Sequence, residues 1–217
     1  FVDRYCLQSW NAFGGLDIVG INPATREEFF RLLDPRFRRM SKDVVLQQLP
    51  AKVRSTRWVE MTPKQRRTYT DLEHNLAALV ESGVLTAPNG LVANLRRMQL
   101  SSASVDVQAW PDPAGDTDWK VRMVEPSPKL DALEDVLEEL GDRQVAVCAY
   151  HRQLVDLAAA RLTKLDKSFG LITGGQSEYE RDLALRRFQA GKLQYLLFTI
   201  SAGGVGITMT AADTLVF

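Results

Sequence analysis

The sequence predicts an α/β protein: a parallel sheet covered by helices, preceded by a helical junction segment. Three observations predict it. From residue 127 to 217, short apolar runs alternate with stretches of helical periodicity. The runs Val145 to Tyr150, Tyr195 to Thr199 and Thr214 to Phe217 are apolar without alternation, as strands buried on both faces must be. A glycine-rich stretch, Gly203-Gly204-Val205-Gly206, follows one of these runs closely. Open parallel sheets bind ligands at that place, beyond the carboxyl ends of their strands.

Each element has a local reason. Ser127-Pro128 opens a helix, with serine as cap and proline at the first helical position. Leu130, Leu133, Leu137 and Leu140 form its apolar face and Gly141 its stop. Leu154, Ala158, Leu162 and Leu165 space a second helix, and Phe169 to Ile172 reads as a short strand. Ser177 and Glu180 make a capping box for a helix carrying Ala184, Leu185 and Phe188.

The N-terminal part is less regular. Glu27 to Leu33 predicts a short helix stopped by Asp34-Pro35, and Arg54 to Met61 alternates weakly, as an edge strand does. Thr62, Pro63 and Gln65 form a capping box. The stripe Tyr69, Leu72, Leu76, Leu79 and Val80 extends that helix to a stop at Gly83. A second helix covers Leu91 to Leu100. Ser101 to Pro126, with Pro111, Pro113 and Gly115, reads as a loop around a short strand at Trp119 to Val124.

Composition narrows the class. Of 217 residues, 45% are apolar, and 27 Lys/Arg balance 27 Asp/Glu. That is globular material able to bury a sizeable core. Two cysteines, Cys6 and Cys148, make no disulfide framework, and no Cys/His cluster has zinc spacing, so a reducing, cytoplasmic compartment fits. The uncharged run Leu193 to Ala212 holds Gln194, three glycines and several hydroxyls, too polar for a membrane span. No signal peptide is visible. The chain lacks an initiator Met and stops inside an apolar run, which reads as a fragment of a longer protein.

Zero net charge conceals segregation. Residues 26 to 67 hold twelve Lys/Arg against five Asp/Glu, a net +7, and residues 106 to 142 three against eleven, a net −8. A basic block is either a solvated face or a surface that attracts a polyanion.

The glycines after Thr199 are either a tight turn or a cradle whose backbone N–H groups meet a phosphate. The companion parts of a nucleotide-hydrolysing site are absent. Gly191-Lys192 is followed by Leu193 instead of Ser or Thr, and Arg186 stands where the first glycine of a lysine loop belongs. Glu138-Glu139 lies on an acidic helix face, without an Asp-Glu pair after an apolar strand. Other catalytic constellations are poor. His74 and His151 lack Cys or Ser partners in sequence, Cys148 reads as a buried inert thiol, and Ser177 as a helix cap. Trp58, Trp110 and Trp119 either stack on bases or serve packing, the commoner use.

Six blocks in order resemble the Swi/Snf family of DNA-dependent ATPases, within superfamily two of the helicases. Arg38-Arg39-Met40-Ser41-Lys42-Asp43-Val44 with Leu49-Pro50-Ala51-Lys52 resembles that family's basic junction. Met61-Thr62-Pro63-Lys64-Gln65 with Tyr69 resembles its Thr-x-x-Gln helix start. Ser127-Pro128-Lys129-Leu130 is similar to the helix opening its second lobe, and Val145 to His151 to motif IV. Thr173-Gly174-Gly175-Gln176 with Arg181 and Phe188 resembles the Asp-Gly-x-Thr block, and Thr199 to Ala212 resembles motif V. Thr173 replaces the usual Asp, Ser201 a common basic residue and Thr208 a frequent Asn.

The resemblance implies the following expectations. Residues 1–60 are the end of helicase lobe one and the basic interlobe junction, 61–126 a helical segment and linker, and 127–217 a RecA-like C-terminal lobe ending before motif VI. The parent is an ATP hydrolase with magnesium, stimulated by double-stranded DNA and tracking its phosphate backbone. This stretch lacks the lysine loop, the acidic metal motif and the arginine finger. It therefore holds no catalytic or metal residue and is inactive alone. Gly203, Gly204, Gly206, Thr199 and Arg181 meet phosphates, and Arg36, Arg38, Arg39 and Lys42 either track DNA or tie the lobes together. No membrane partner is implied and no protein partner is named. The expected origin is bacterial or phage, with a nuclear location if eukaryotic. Two alternatives stand beside the motor: a non-catalytic DNA-binding or scaffolding module, and an unrelated α/β enzyme with a phosphorylated substrate.

Overall fold

The structure, a computed structural model, describes residues 1–11, 14–38, 40, 51–111, 117–203 and 207–217. It divides into two units, Phe1–Ser55 and Thr56–Phe217.

In the first unit, helix α1 (Val2–Tyr5) leads into an antiparallel hairpin of β1 (Cys6–Trp10) and β2 (Leu16–Ile21). Helix α2 (Arg26–Leu33) is the expected short helix. Arg4 and the Tyr5 hydroxyl both donate to the Glu28 carboxylate, at 3.0 and 2.9 Å, and tie α2 to α1.

Residues 54–61 form no strand, since their backbone has no ladder partner among the described residues, and Trp58 is 94% exposed instead of packed. Helix α3 (Pro63–Asn75) starts as expected, with both halves of the Thr62–Gln65 capping box formed. It ends earlier, at Leu76 in the left-handed region with φ 55°. Leu79 and Val80 belong instead to a hairpin of β3 (Ala77–Val80) and β4 (Gly83–Thr86). Ala78 and Leu85 turn inward while Leu79 and Val84 face solvent, a period of two where a helical stripe was expected. The turn residue Ser82 is fixed from afar, its N–H donating to Asp106 at 3.1 Å.

Helix α4 (Gly90–Leu100) follows, capped by Asn89. The stretch 101–126 is not mainly loop. It forms a long antiparallel ribbon of β5 (Ser104–Pro111) and β6 (Thr117–Val124), whose Val105, Val107 and Met123 are buried against Leu72, Leu85 and Leu100. The side chains of Trp110 and Trp119 lie outside the described residues.

The expected α/β lobe comes next: α5 (Pro128–Leu140), β7 (Val145–Ala149), α6 (Arg152–Lys164), β8 (Phe169–Ile172), α7 (Glu178–Gln189), β9 (Tyr195–Thr199), the short α8 (Ile200–Gly203) and β10 (Thr214–Val216). The four strands are all parallel, in the order β10-β7-β9-β8. Val145, Val147, Tyr195 and Leu197 pack against α5 and α6. Ala146, Cys148, Leu196 and Phe198 face Phe188 of α7 and residues 207–212. Both faces are therefore covered, and the strands need no polar face.

Helix α6 joins this lobe to the preceding layer. Leu154 and Leu157 pack against both cores. The Gln153 side chain accepts the Met123 N–H at 2.6 Å and donates to the Val121 carbonyl at 3.2 Å, filling the place of a third strand beside β6. The Ser127 hydroxyl, fully buried, donates to the Ser102 carbonyl at 2.7 Å.

Candidate functional site

Parallel strands end together, so the loops after β7, β8 and β9 share the carboxyl edge of the sheet. Thr199, the last residue of β9, is buried, and its hydroxyl accepts a bond from the exposed Ser201 hydroxyl at 3.4 Å. The outward hydroxyl here is thus Ser201, at a position where the resemblance had a basic residue. Gly203 is a steric requirement. A Cβ there would lie 2.9 Å from Cγ of the buried Phe198 ring, and closer still to its edge. Gly204 and Gly206 lie outside the described residues.

At the end of β8, the buried Thr173 donates its N–H to Gln176 Oε1 at 2.8 Å, closing a tight loop. The Ser177–Glu180 capping box is complete, and hydrogen bonds from the Ser177 N–H and hydroxyl hold the Glu180 carboxyl below the usual carboxylate range. Arg181 pairs with neither Glu178 nor Glu180 of its own helix among the described residues. Its Nε donates weakly to the Ser177 carbonyl at 3.5 Å, and it has no ion pair among the described residues. Neither hydrogen bond nor ion pair links Arg181 to Thr199 or Gly203 among those residues.

The end of β7 supplies a cation that the sequence reading missed. Arg152, at the start of α6, lays its guanidinium on Gly175, where a Cβ would stand 2.6 Å from Cζ. Its Nε faces Asp156 at 3.6 Å. Arg152 and Gly175 lie on successive loops of the same sheet edge, a proximity that only the parallel topology creates. His151, beside Arg152, keeps Nε2 buried without a partner among the described residues, and burial pushes its pKa down, favouring the neutral ring. Tyr150 meets its ring edge-on at 5.0 Å. Cys148 is buried in β7, and burial pushes its thiol up, as expected of an unreactive side chain.

The basic block divides. Arg36 and Arg38 are exposed in the first unit, with Arg36 donating to the Leu32 carbonyl at 3.3 Å. Arg39 and Lys42 lie outside the described residues. The acidic stretch is more occupied than a solvated face: Glu139 pairs with Arg57, while Glu125, Asp131 and Glu134 converge on Arg161.

Residues 128–217 match the helicase conserved C-terminal domain. Over 204 residues the chain is 28% identical to the Chromodomain-helicase-DNA-binding protein 1-like of Danio rerio, covering 92% of this chain and 19% of that protein. It is 22% identical over 240 residues to the TATA-binding protein-associated factor BTAF1 of Arabidopsis thaliana, covering 88% and 12%. These relatives lend no support to the expected bacterial or phage origin. The chain spans about a fifth or less of their length. Among solved structures, the Sulfolobus solfataricus SWI2/SNF2 ATPase core domain superposes with a TM-score of 0.52 at 20% identity, over 89% of this chain and 40% of that one. The C-terminal domain of the same ATPase gives 0.51 at 20%, over 72% and 67%. No helix among the described residues is long and apolar enough to cross a membrane.

Proposed function

We propose that this chain, which is Swi/Snf helicase-like, forms part of an ATP-dependent motor that follows the phosphate backbone of duplex DNA. The observation that carries the reading is the donor set at the carboxyl edge of the parallel sheet. Ser201 offers an exposed hydroxyl, Gly203 packs on Phe198 and leads into the glycine stretch, Arg181 offers a guanidinium with no ion pair among the described residues, and Arg152 adds one whose carboxylate neighbour, Asp156, stands 3.6 Å away. Such donors suit phosphate oxygens and carry no base preference. Arg36, Arg38, Arg39 and Lys42 add positive charge on a second segment, and Gly204 and Gly206 extend the glycine stretch. Residues 1–60, 61–126 and 127–217 would then serve as lobe junction, accessory layer and C-terminal lobe.

Magnesium ATP does not fit this chain's residues alone. The sequence has no lysine loop, and among the described residues no group of three or more His, Cys, Asp or Glu is placed to hold a metal. These 217 residues alone are therefore expected to turn over no ATP.

Duplex binding by this chain, followed by fluorescence anisotropy across a salt series, tests the reading. Affinity should fall steeply and linearly on logarithmic axes, and Arg181→Ala should reduce the slope by about one. Binding that ignores salt, or no binding, would contradict it.

A further inference from the structure

Gln189, the last residue of α7, makes three hydrogen bonds to one short stretch of chain. Its Oε1 accepts the Ala211 N–H at 2.9 Å and the Thr210 hydroxyl at 3.4 Å. Its Nε2 donates to the Thr208 carbonyl at 2.6 Å. Residues 207–212 belong to no helix or strand, so these backbone groups have no ladder partner and depend on a side chain. Ile207, Met209, Ala211 and Ala212 pack at the same time against the core around Phe188 and Phe198. The stretch is thus held on one side by apolar contact and on the other by a single carboxamide.

That stretch leads directly out of the glycines. On the side where the chain enters them, Gly203 lies against the buried Phe198 ring with no room for a side chain. We propose that Gln189 is a positioning residue, which anchors the chain leaving the glycine stretch as Phe198 anchors the chain entering it. The described chain on each side, at Gly203 and at residues 207–212, is then tied to the packed face of the sheet. Glutamine is chemically specific here, because the anchor needs an acceptor and a donor at the same reach. Glutamate keeps the acceptor but sets a carboxylate against the Thr208 carbonyl, and methionine keeps only the length.

Hydrogen–deuterium exchange on the full chain tests this without any ligand. In Gln189→Met, amides of residues 207–212 should exchange about tenfold faster, the loss of a net hydrogen bond. Those of β9 and α6 should be unchanged. In Gln189→Glu the Ala211 amide should keep most of its protection, since its acceptor remains. Unchanged exchange at 207–212, or equal acceleration throughout the chain, would overturn the positioning role. A second arm rests on the proposed function: duplex affinity should fall about three- to tenfold in Gln189→Met. If the wild-type chain binds no duplex, the motor reading fails, and the exchange result still decides the role of Gln189. If wild type and Gln189→Met bind duplex equally, the positioning role fails.

Discussion

Arg161 and Glu125 face each other as a two-pronged pair, Nε to Oε1 at 2.7 Å and Nη2 to Oε2 at 2.6 Å. The same guanidinium reaches Asp131 at 2.7 Å and Glu134 at 3.0 Å. Its side chain is only 16% exposed. Glu125 closes the ribbon segment, Asp131 and Glu134 lie on α5, and Arg161 lies on α6. One cation therefore ties the accessory layer to the α/β lobe. Surface pairs contribute little, but a guanidinium with three carboxylates and limited solvent is different.

Arg161→Met should leave three neighbouring carboxylates without their cation and lower stability by about 2 kcal/mol. Urea unfolding of the 217-residue chain reads this directly. A change below about 0.5 kcal/mol would place the cluster with ordinary surface pairs.

Acid should act through the same cluster. Hydrogen bonds from Arg161 hold the Glu125 carboxyl below its usual 4.5. A carboxyl with a depressed folded pKa contributes stability that is complete above the unfolded value and lost as pH falls through the folded one. Stability should thus decline below about pH 4.5, and Arg161→Met should flatten that decline. Parallel acid limbs in the two proteins would refute the assignment.

Gly203→Ala should cost about 1–3 kcal/mol, because the new methyl must displace the buried Phe198 ring. Gly174→Ala is the matched comparison, having no atom within 4 Å of the added Cβ and no positive φ. It should be close to neutral in a thermal melt. Equal losses would mean that the contact with Phe198 is easily relaxed.

The hairpin at Ala77–Thr86 makes a further comparison. Leu72 is fully buried and Leu79 is 78% exposed, although helical spacing puts both on one stripe. Leu72→Ala should cost about 3 kcal/mol, and Leu79→Lys less than about 0.5. Similar costs for the two would favour a continuous helix.

These pairs show what the sequence could reveal. The C-terminal lobe was legible nearly element by element, because Ser127 and Ser177 announce their helices and Val145 to Ala149 has no polar face. The hairpin was hidden because Leu76, Leu79 and Val80 also satisfy a helical period, and Ser82 is fixed by Asp106 across the fold. The ribbon was hidden by Pro111 and Pro113, although Val105 and Val107 alternate with polar neighbours. Motif order singled out the glycines and Arg181 as candidates, and of these only Gly203 and Arg181 lie among the described residues. Arg152 on Gly175 and Gln189 on Ala211 could not be singled out in this way, since only the parallel topology brings them together.

The most direct test of the central claim is ATP turnover by the intact parent polypeptide, measured without nucleic acid, with duplex DNA and with single-stranded DNA. Slow turnover that duplex stimulates strongly is expected, with its loss when the chain is cut back to these 217 residues. A folded parent that neither duplex nor single strand stimulates would contradict the motor and leave a DNA-binding module in its place.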